Sequence, residues 1–259
     1  MSERLATVFS LLMTVALMQS ATAQIRGSRN TSAAESFLIA PRPFMRLLNE
    51  GKQALEQKRY SDGIQALGVL LQAESTADLP ADLVGQDFFL EPMQSAFFRS
   101  SIKAEATRVL AELDAQGREV LELQYGVTAR QALQQAIESQ DWESIGDVAR
   151  RFMHTEAGYD ANVLLAEYQA AQGHARTAAG ILQRLLRIPS ARQRFGVELA
   201  VATATAWIQA GKQDAAIATL EQASKDFSGA QVRLAGRELT FTPETDWARI
   251  IASIAADDF

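Results

Sequence analysis

Residues Ala166–Leu186 read AEYQAAQGHARTAAGILQRLL, and this stretch decides the fold. Small residues stand at Ala166 and Ala178, Gly173-His174 marks a turn, and Leu182 and Leu185 continue an apolar stripe at helical spacing. Two helices approach closely only where no side chain stands between them, which a small residue on each helix allows. Three other windows share the layout. Gly51–Leu70 (GKQALEQKRYSDGIQALGVL) has Gly51 and Gly63, with Tyr60 after the turn. Ala204–Ala216 (ATAWIQAGKQDAA) turns at Gly211, with Leu220 and Ala223 beyond. The window around Gln140-Asp141-Trp142 carries Leu133 and Ile145 where the others have small residues, then Ala149 and Phe152.

This pattern resembles the tetratricopeptide repeat. Gly51, Ala166 and Ala204 take the small position of the first helix, and Gly63, Ala178 and Ala216 that of the second. Ile145 to Ala178 is 33 residues and Ala178 to Ala216 is 38, against a family period of about 34. Pro189 falls where the family ends its second helix; Leu133, Ile145 and Ala175 depart from its pattern. The predicted fold is therefore all-α, a helix-hairpin solenoid over residues 43–228 closed by a small C-terminal β-hairpin plus helix over 229–259. Gln231–Thr242 supplies the hairpin, turning at Ala235-Gly236. The last helix is expected to start at Thr242-Pro243, with Trp247, Ile250, Ile251 and Ile254 as its stripe.

Between the first and second windows lies a stretch of different character. It carries Phe88, Phe89, Phe97 and Phe98, read as plugs between helix pairs, and a helix from Ser101 with Ile102, Ala106, Val109, Leu110 and Leu113 on one side. Gly117 is read as a break after it. Residues 5–18 form an uncharged apolar run followed by Ala21-Thr22-Ala23, the layout of a signal peptide over 1–23. The run is about 21 Å long as a helix, short of a membrane core of about 30 Å, so no stable span is expected after cleavage. Residues 24–42 read as a flexible lead-in. The address is export, to the periplasm or beyond in a bacterium.

Composition removes whole classes of chemistry. The 259 residues contain no cysteine and two histidines, which excludes thiol catalysis, disulfides and Cys-ligated metals. A net charge of -6 argues against nucleic acid as partner. No P-loop, G-x-S-x-G or H-E-x-x-H is present. His154 reads as a capping or packing residue and His174 as a solvated turn residue. Glu50, Glu56, Glu105, Glu112, Glu119 and Glu122 read as solvated helix faces. Arg150, Arg151, Arg184, Arg187, Arg192 and Arg194 form a basic cluster read as an exposed face.

A wider resemblance runs over residues 43–255. Asp87-Phe88-Phe89-Leu90-Glu91-Pro92, Ser101–Ala106 and Arg150–Tyr159 (RRFMHTEAGY) look like the N-terminal helical region of secreted bacterial proteins that carry a pyrroloquinoline-quinone-type β-propeller. The propeller strands are not in this sequence, so the resemblance implies either the N-terminal module of a larger protein or a stand-alone paralogue. The function expected is a non-catalytic protein-interaction scaffold, with no cofactor and no metal, whose partner is a protein, a peptide or a propeller domain of the same polypeptide. Its concave-face candidates are Lys52, Glu56, Arg130, Gln134, Glu138, Asp160, Glu167 and Gln209. The alternative is part of an enzyme: a quinone-dependent oxidoreductase with its active part downstream, or a helical cell-wall hydrolase needing a buried Glu in a cleft. A structural spacer with no groove is the third reading.

Overall fold

A computed structural model describes residues 39–71, 87–90, 101–234 and 236–257. By internal contacts the chain divides into residues 1–38 and 39–259, and the second unit is described here. The expected signal peptide, the expected lead-in up to residue 38, Phe97 and Phe98 lie outside the described residues.

The described residues form ten helices and one antiparallel hairpin. The helices are α1 (Arg42–Glu56), α2 (Tyr60–Leu71), α3 (Ile102–Ala111), α4 (Ala115–Glu138), α5 (Trp142–Arg151), α6 (Glu156–Ala171), α7 (Ala175–Leu186), α8 (Pro189–Gln209), α9 (Gln213–Asp226) and α10 (Trp247–Asp257). Strands β1 (Gln231–Leu234) and β2 (Arg237–Thr240) pair antiparallel, with Leu234 opposite Arg237. Successive helices pack as α1–α2, α4–α5, α6–α7 and α8–α9 hairpins.

One turn design closes all four hairpins. In each, the residue after the helix cap has positive φ: Lys58 (58°), Gln140 (55°), Gly173 (80°) and Gly211 (68°). Its N–H and the next N–H reach back to the same two carbonyls of the helix end. Gly173 N donates to Ala170 O (2.9 Å) and His174 N to Gln169 O (2.8 Å), while Lys58 N donates to Leu55 O (2.9 Å) and Arg59 N to Ala54 O (2.8 Å). This double bond is the Schellman closure, which satisfies carbonyls that the helix end would leave bare. The next helix then starts on a side-chain cap where one is available. Asp141 accepts from Glu143 N and Ser144 N (3.1 and 3.2 Å), and Thr155 from Gly158 N (3.0 Å).

The small residues point inward. Ala166, Ala178, Ala204 and Ala216 are all at most 1% exposed, and Gly51 and Gly63 are buried. A Cβ on Gly63 would stand 2.9 Å from the carbonyl oxygen of Gly51, so α1 and α2 touch backbone to backbone. The core is a chain of four clusters, each shared by neighbouring helices: around Leu48, Ile64 and Ile102; around Leu133 and Ile145; around Leu182 and Leu185; and around Leu220, Phe241 and Trp247. Stability is thus distributed along the chain, as in quasi-one-dimensional folds. The hairpin and α10 close the last cluster, where Phe241 and Trp247 lie 4.7 Å apart and Trp247 Nε1 donates to Ser224 Oγ (2.8 Å).

Four local expectations change. Helix α1 begins at Arg42, inside the expected lead-in, and Ala40 N donates to Phe89 O (3.0 Å), tying the residues before it to the chain at 87–90. Gly117 is no break: it lies in the first turn of α4, where its N–H bonds Asp114 Oδ1 (2.8 Å) and a Cβ would press on Leu113 and Tyr60. The final helix starts at Trp247 rather than near Pro243, because the Thr242 and Thr245 hydroxyls hold a turn (2.9 Å) and Asp246 caps the helix through Arg249 N (2.9 Å). Glu105 is no solvated face: its side chain is 13% exposed, clamped by Lys52 at 2.5 Å and Arg108 at 2.8 Å.

Between Ala178 and Ala216, which stand 38 residues apart, Gly196 breaks helical geometry inside α8 (φ 60°, ψ -146°). The polar links Glu122–Glu156, Asp160–Arg194 and Arg192–Asp226 tie α4 to α6, α6 to α8 and α8 to α9.

Candidate functional site

The first helices of the hairpins, α4, α6 and α8, pack against one another in sequence, whereas the backbones of α5, α7 and α9 stand farther apart, α7 and α9 meeting through Thr219 Oγ1 and the Gln183 side-chain oxygen (3.4 Å). First helices therefore line the tighter side, the side on which stacked hairpins present a groove. Helix α4 buries Leu121, Ala129, Leu133 and Ala136 against its neighbours. On another face it exposes Leu123 (75%), Val127 (59%) and Ile137 (43%). These three alternate with Arg130 and Gln134 at spacings of four and three, so the five form one stripe along the helix. Large apolar side chains left in water on one patch mark a contact surface.

The structure sorts the eight candidates. Arg130, Gln134 and Glu138 share the exposed side of α4. Gln134 Nε2 donates to Glu138 Oε1 (2.8 Å), and Arg130 is 66% exposed, 3.6 Å from Glu122. Glu167 on α6 and Gln209 at the end of α8 are exposed, on first helices of later pairs. Asp160 on α6 is held by Arg194 of α8 at 2.9 Å, and Arg194 also reaches Glu156 at 3.3 Å. Lys52 and Glu56 belong to a different place: both line a cleft of about 420 Å³ between α1 and α3, where Lys52 is bound to Glu105. The Glu105 carboxyl is held down at about 2, by the Arg108 guanidinium first and the Lys52 ammonium next. Sequence reasoning missed Leu123, Val127 and Ile137. Their signal was an apolar set on the side of α4 away from its buried stripe.

A second cluster lies where α2, α3 and α4 meet the turn between α5 and α6. His154 is half-buried there and its Nε2 donates to the Thr107 carbonyl (2.9 Å). Burial pushes the imidazole down to about 4, so it is neutral at pH 7. Tyr125 and Tyr159 have their phenols pushed up by burial, and Tyr159 Oη bonds Ser190 Oγ (2.7 Å). Arg151 lies 5.3 Å over the Phe152 ring, and its Nε and Glu122 Oε1 are buried without a hydrogen-bond partner. The space beside His154 is about 30 Å³, room for one or two water molecules. His154 therefore serves packing, as the sequence suggests, and His174 stays exposed at the start of α7. Among the described residues no group of three His, Asp or Glu side chains is placed to hold a metal ion. None of the described helices is long and apolar enough to cross a membrane.

No family model, no curated protein and no solved structure matches this chain.

Proposed function

We propose that the protein is an exported, non-catalytic docking scaffold of tetratricopeptide-like helix hairpins, whose partner lies against the first-helix side. The observation that carries this reading is the exposed stripe of α4, with Leu123, Val127 and Ile137 at its centre and Arg130, Gln134 and Glu138 among and beside them. An interface needs a desolvated apolar centre with a polar rim that fixes orientation, and this stripe offers both. Glu167 and Gln209 extend the rim onto α6 and α8. The partner is a protein or peptide, or a propeller domain of the same polypeptide, the last suggested by the resemblance to helical regions that precede a propeller. Export rests on the apolar run and Ala21-Thr22-Ala23.

The test is co-purification of the full chain from the bacterial envelope with mass-spectrometric identification, comparing the natural sequence with Leu123→Asp/Val127→Asp. Both positions are exposed, so the double variant keeps its unfolding curve. The reading expects a defined partner protein that the variant loses. Retention of the same partner by the variant, or no specific partner with either chain, overturns it.

A further inference from the structure

We infer that the groove between α7 and α9 is a second binding site, built for an extended peptide segment that ends in a carboxylate. This site does not rest on the docking stripe of α4. The α7 and α9 backbones stand apart, bridged by the Thr219–Gln183 side-chain hydrogen bond (3.4 Å); α8 lies between them and supplies the floor through Ala200 and Trp207. The space is about 590 Å³, the size range of ligand pockets rather than of a packing defect. One wall is a single face of α9 running from Ala215 through Ala218 and Gln222 to Asp226. That face is about 16 Å long, enough for about five extended residues. Its small side chains let a backbone approach.

The polar groups are arranged for an anion with a peptide attached. The Gln183 side-chain oxygen accepts from Trp207 Nε1 (3.2 Å) and lies 3.4 Å from Thr219 Oγ1. Its orientation is thereby set, and its amide N–H donors bond nothing among the described residues. At the end of the groove where α7 and α9 terminate stand Arg187, Arg192 and Asp226. Asp226 is already taken, accepting from Arg192 (3.1 Å) and from Gln222 (3.2 Å). Arg187 is exposed and has no partner among the described residues. The lining thus has two guanidiniums and one neutralised carboxylate, a surplus of one positive charge at one end of a mostly apolar slot. A guanidinium recognises a carboxylate through two parallel N–H bonds, which suits a chain terminus at that end and amide contacts at Gln183 farther along. The basic cluster seen in the sequence is otherwise dispersed: Arg150 pairs with Asp147, and Arg194 with Glu156 and Asp160.

The experiment uses the full chain and a random pentapeptide library with free C-terminal carboxylates, matched to the same library amidated, and reads retention together with tryptophan emission. The expected result is retention of free-carboxylate peptides at least tenfold above the amidated ones, with an emission shift that Trp207→Phe abolishes. Arg187→Ala, at an exposed unpaired position, and Ala218→Leu, which fills the slot, should each cut retention tenfold or more while leaving the thermal unfolding curve in place. Equal retention of amidated peptides, indifference to Arg187→Ala, or no retention at all overturns the assignment. Inorganic phosphate is the second arm. If millimolar phosphate alone reproduces the emission shift and removes all peptide, the groove is a simple anion site and the peptide assignment fails.

Discussion

Replacing Gly63 by alanine is expected to destabilise the chain, while the same replacement at Gly180 stabilises it. Both glycines lie inside helices, α2 and α7, so both gain about 1 kcal/mol of helix propensity as alanine. What differs is the space. At Gly180 an added Cβ meets nothing within 4 Å. At Gly63 it would stand 2.9 Å from the Gly51 carbonyl oxygen and 2.6 Å from Leu55 Cδ2, whereas ordinary contact begins at 3.4 Å. The leucine can rotate, but the carbonyl is backbone, so α1 and α2 must part by about 0.5 Å in a close-packed seam. Overpacking of this kind costs about 1–3 kcal/mol, which exceeds the propensity gain and leaves a net loss of about 1 kcal/mol. For a domain of this size each kcal/mol moves the Tm by about 2–4 °C. Thermal unfolding followed by far-UV circular dichroism should therefore show Gly63→Ala below the natural chain and Gly180→Ala above it. A Gly63→Ala chain that melts as high as Gly180→Ala would mean that α1 and α2 do not approach through their glycines, and the packing argument would fail.

Two further outcomes follow from the geometry. Lys58→Gly and Gln140→Gly should each stabilise by about 0.5–1 kcal/mol, and Gly173→Ala should destabilise by about 1 kcal/mol, because all three sit in left-handed backbone that an L side chain resists; chemical unfolding of the three variants checks the signs. Stability should also fall in mild acid. His154 has a folded pKa of about 4 against 6.5 unfolded, so its contribution is complete above pH 6.5 and is lost as the pH falls from there toward 4. From pH 7.5 to 5.0 the loss is about 2 kcal/mol, at about 1.4 kcal/mol per pH unit below 6.5. Urea unfolding should show that loss in the natural chain and not in His154→Gln, which keeps a donor for Thr107. Glu105 and the other carboxyls held low add their own loss only at more acid pH.

The fold was legible because packing constraints leave a mark on residue size. Ala166, Ala178, Ala204 and Ala216 could be placed at helix seams from sequence because a close seam tolerates little else. The left-handed turns were half legible: Gly173 and Gly211 announce them, while Lys58 and Gln140 occupy the same conformation with ordinary side chains, held there by the same pair of backbone bonds. Gly117 misled because a glycine needed for close approach to Tyr60 looks the same as one needed to end a helix. Glu105 misled because its partner Lys52 lies 53 residues away, beyond any helical spacing. The α4 stripe was partly legible. Arg130, Gln134 and Glu138 were placed on it by register, but Leu123, Val127 and Ile137 could not be told from core residues until the buried side of α4 was known.

The most direct measurement of the docking account is a photocrosslinking scan around α4 in the living cell, with a photoreactive residue placed in turn at 123, 127, 130, 134, 128 and 135. All six positions are exposed, so exposure alone does not separate them. The account requires a protein partner to be captured at 123, 127, 130 and 134, with yield falling to background at 128 and 135. A flat profile, or capture concentrated at 128 and 135, would contradict it.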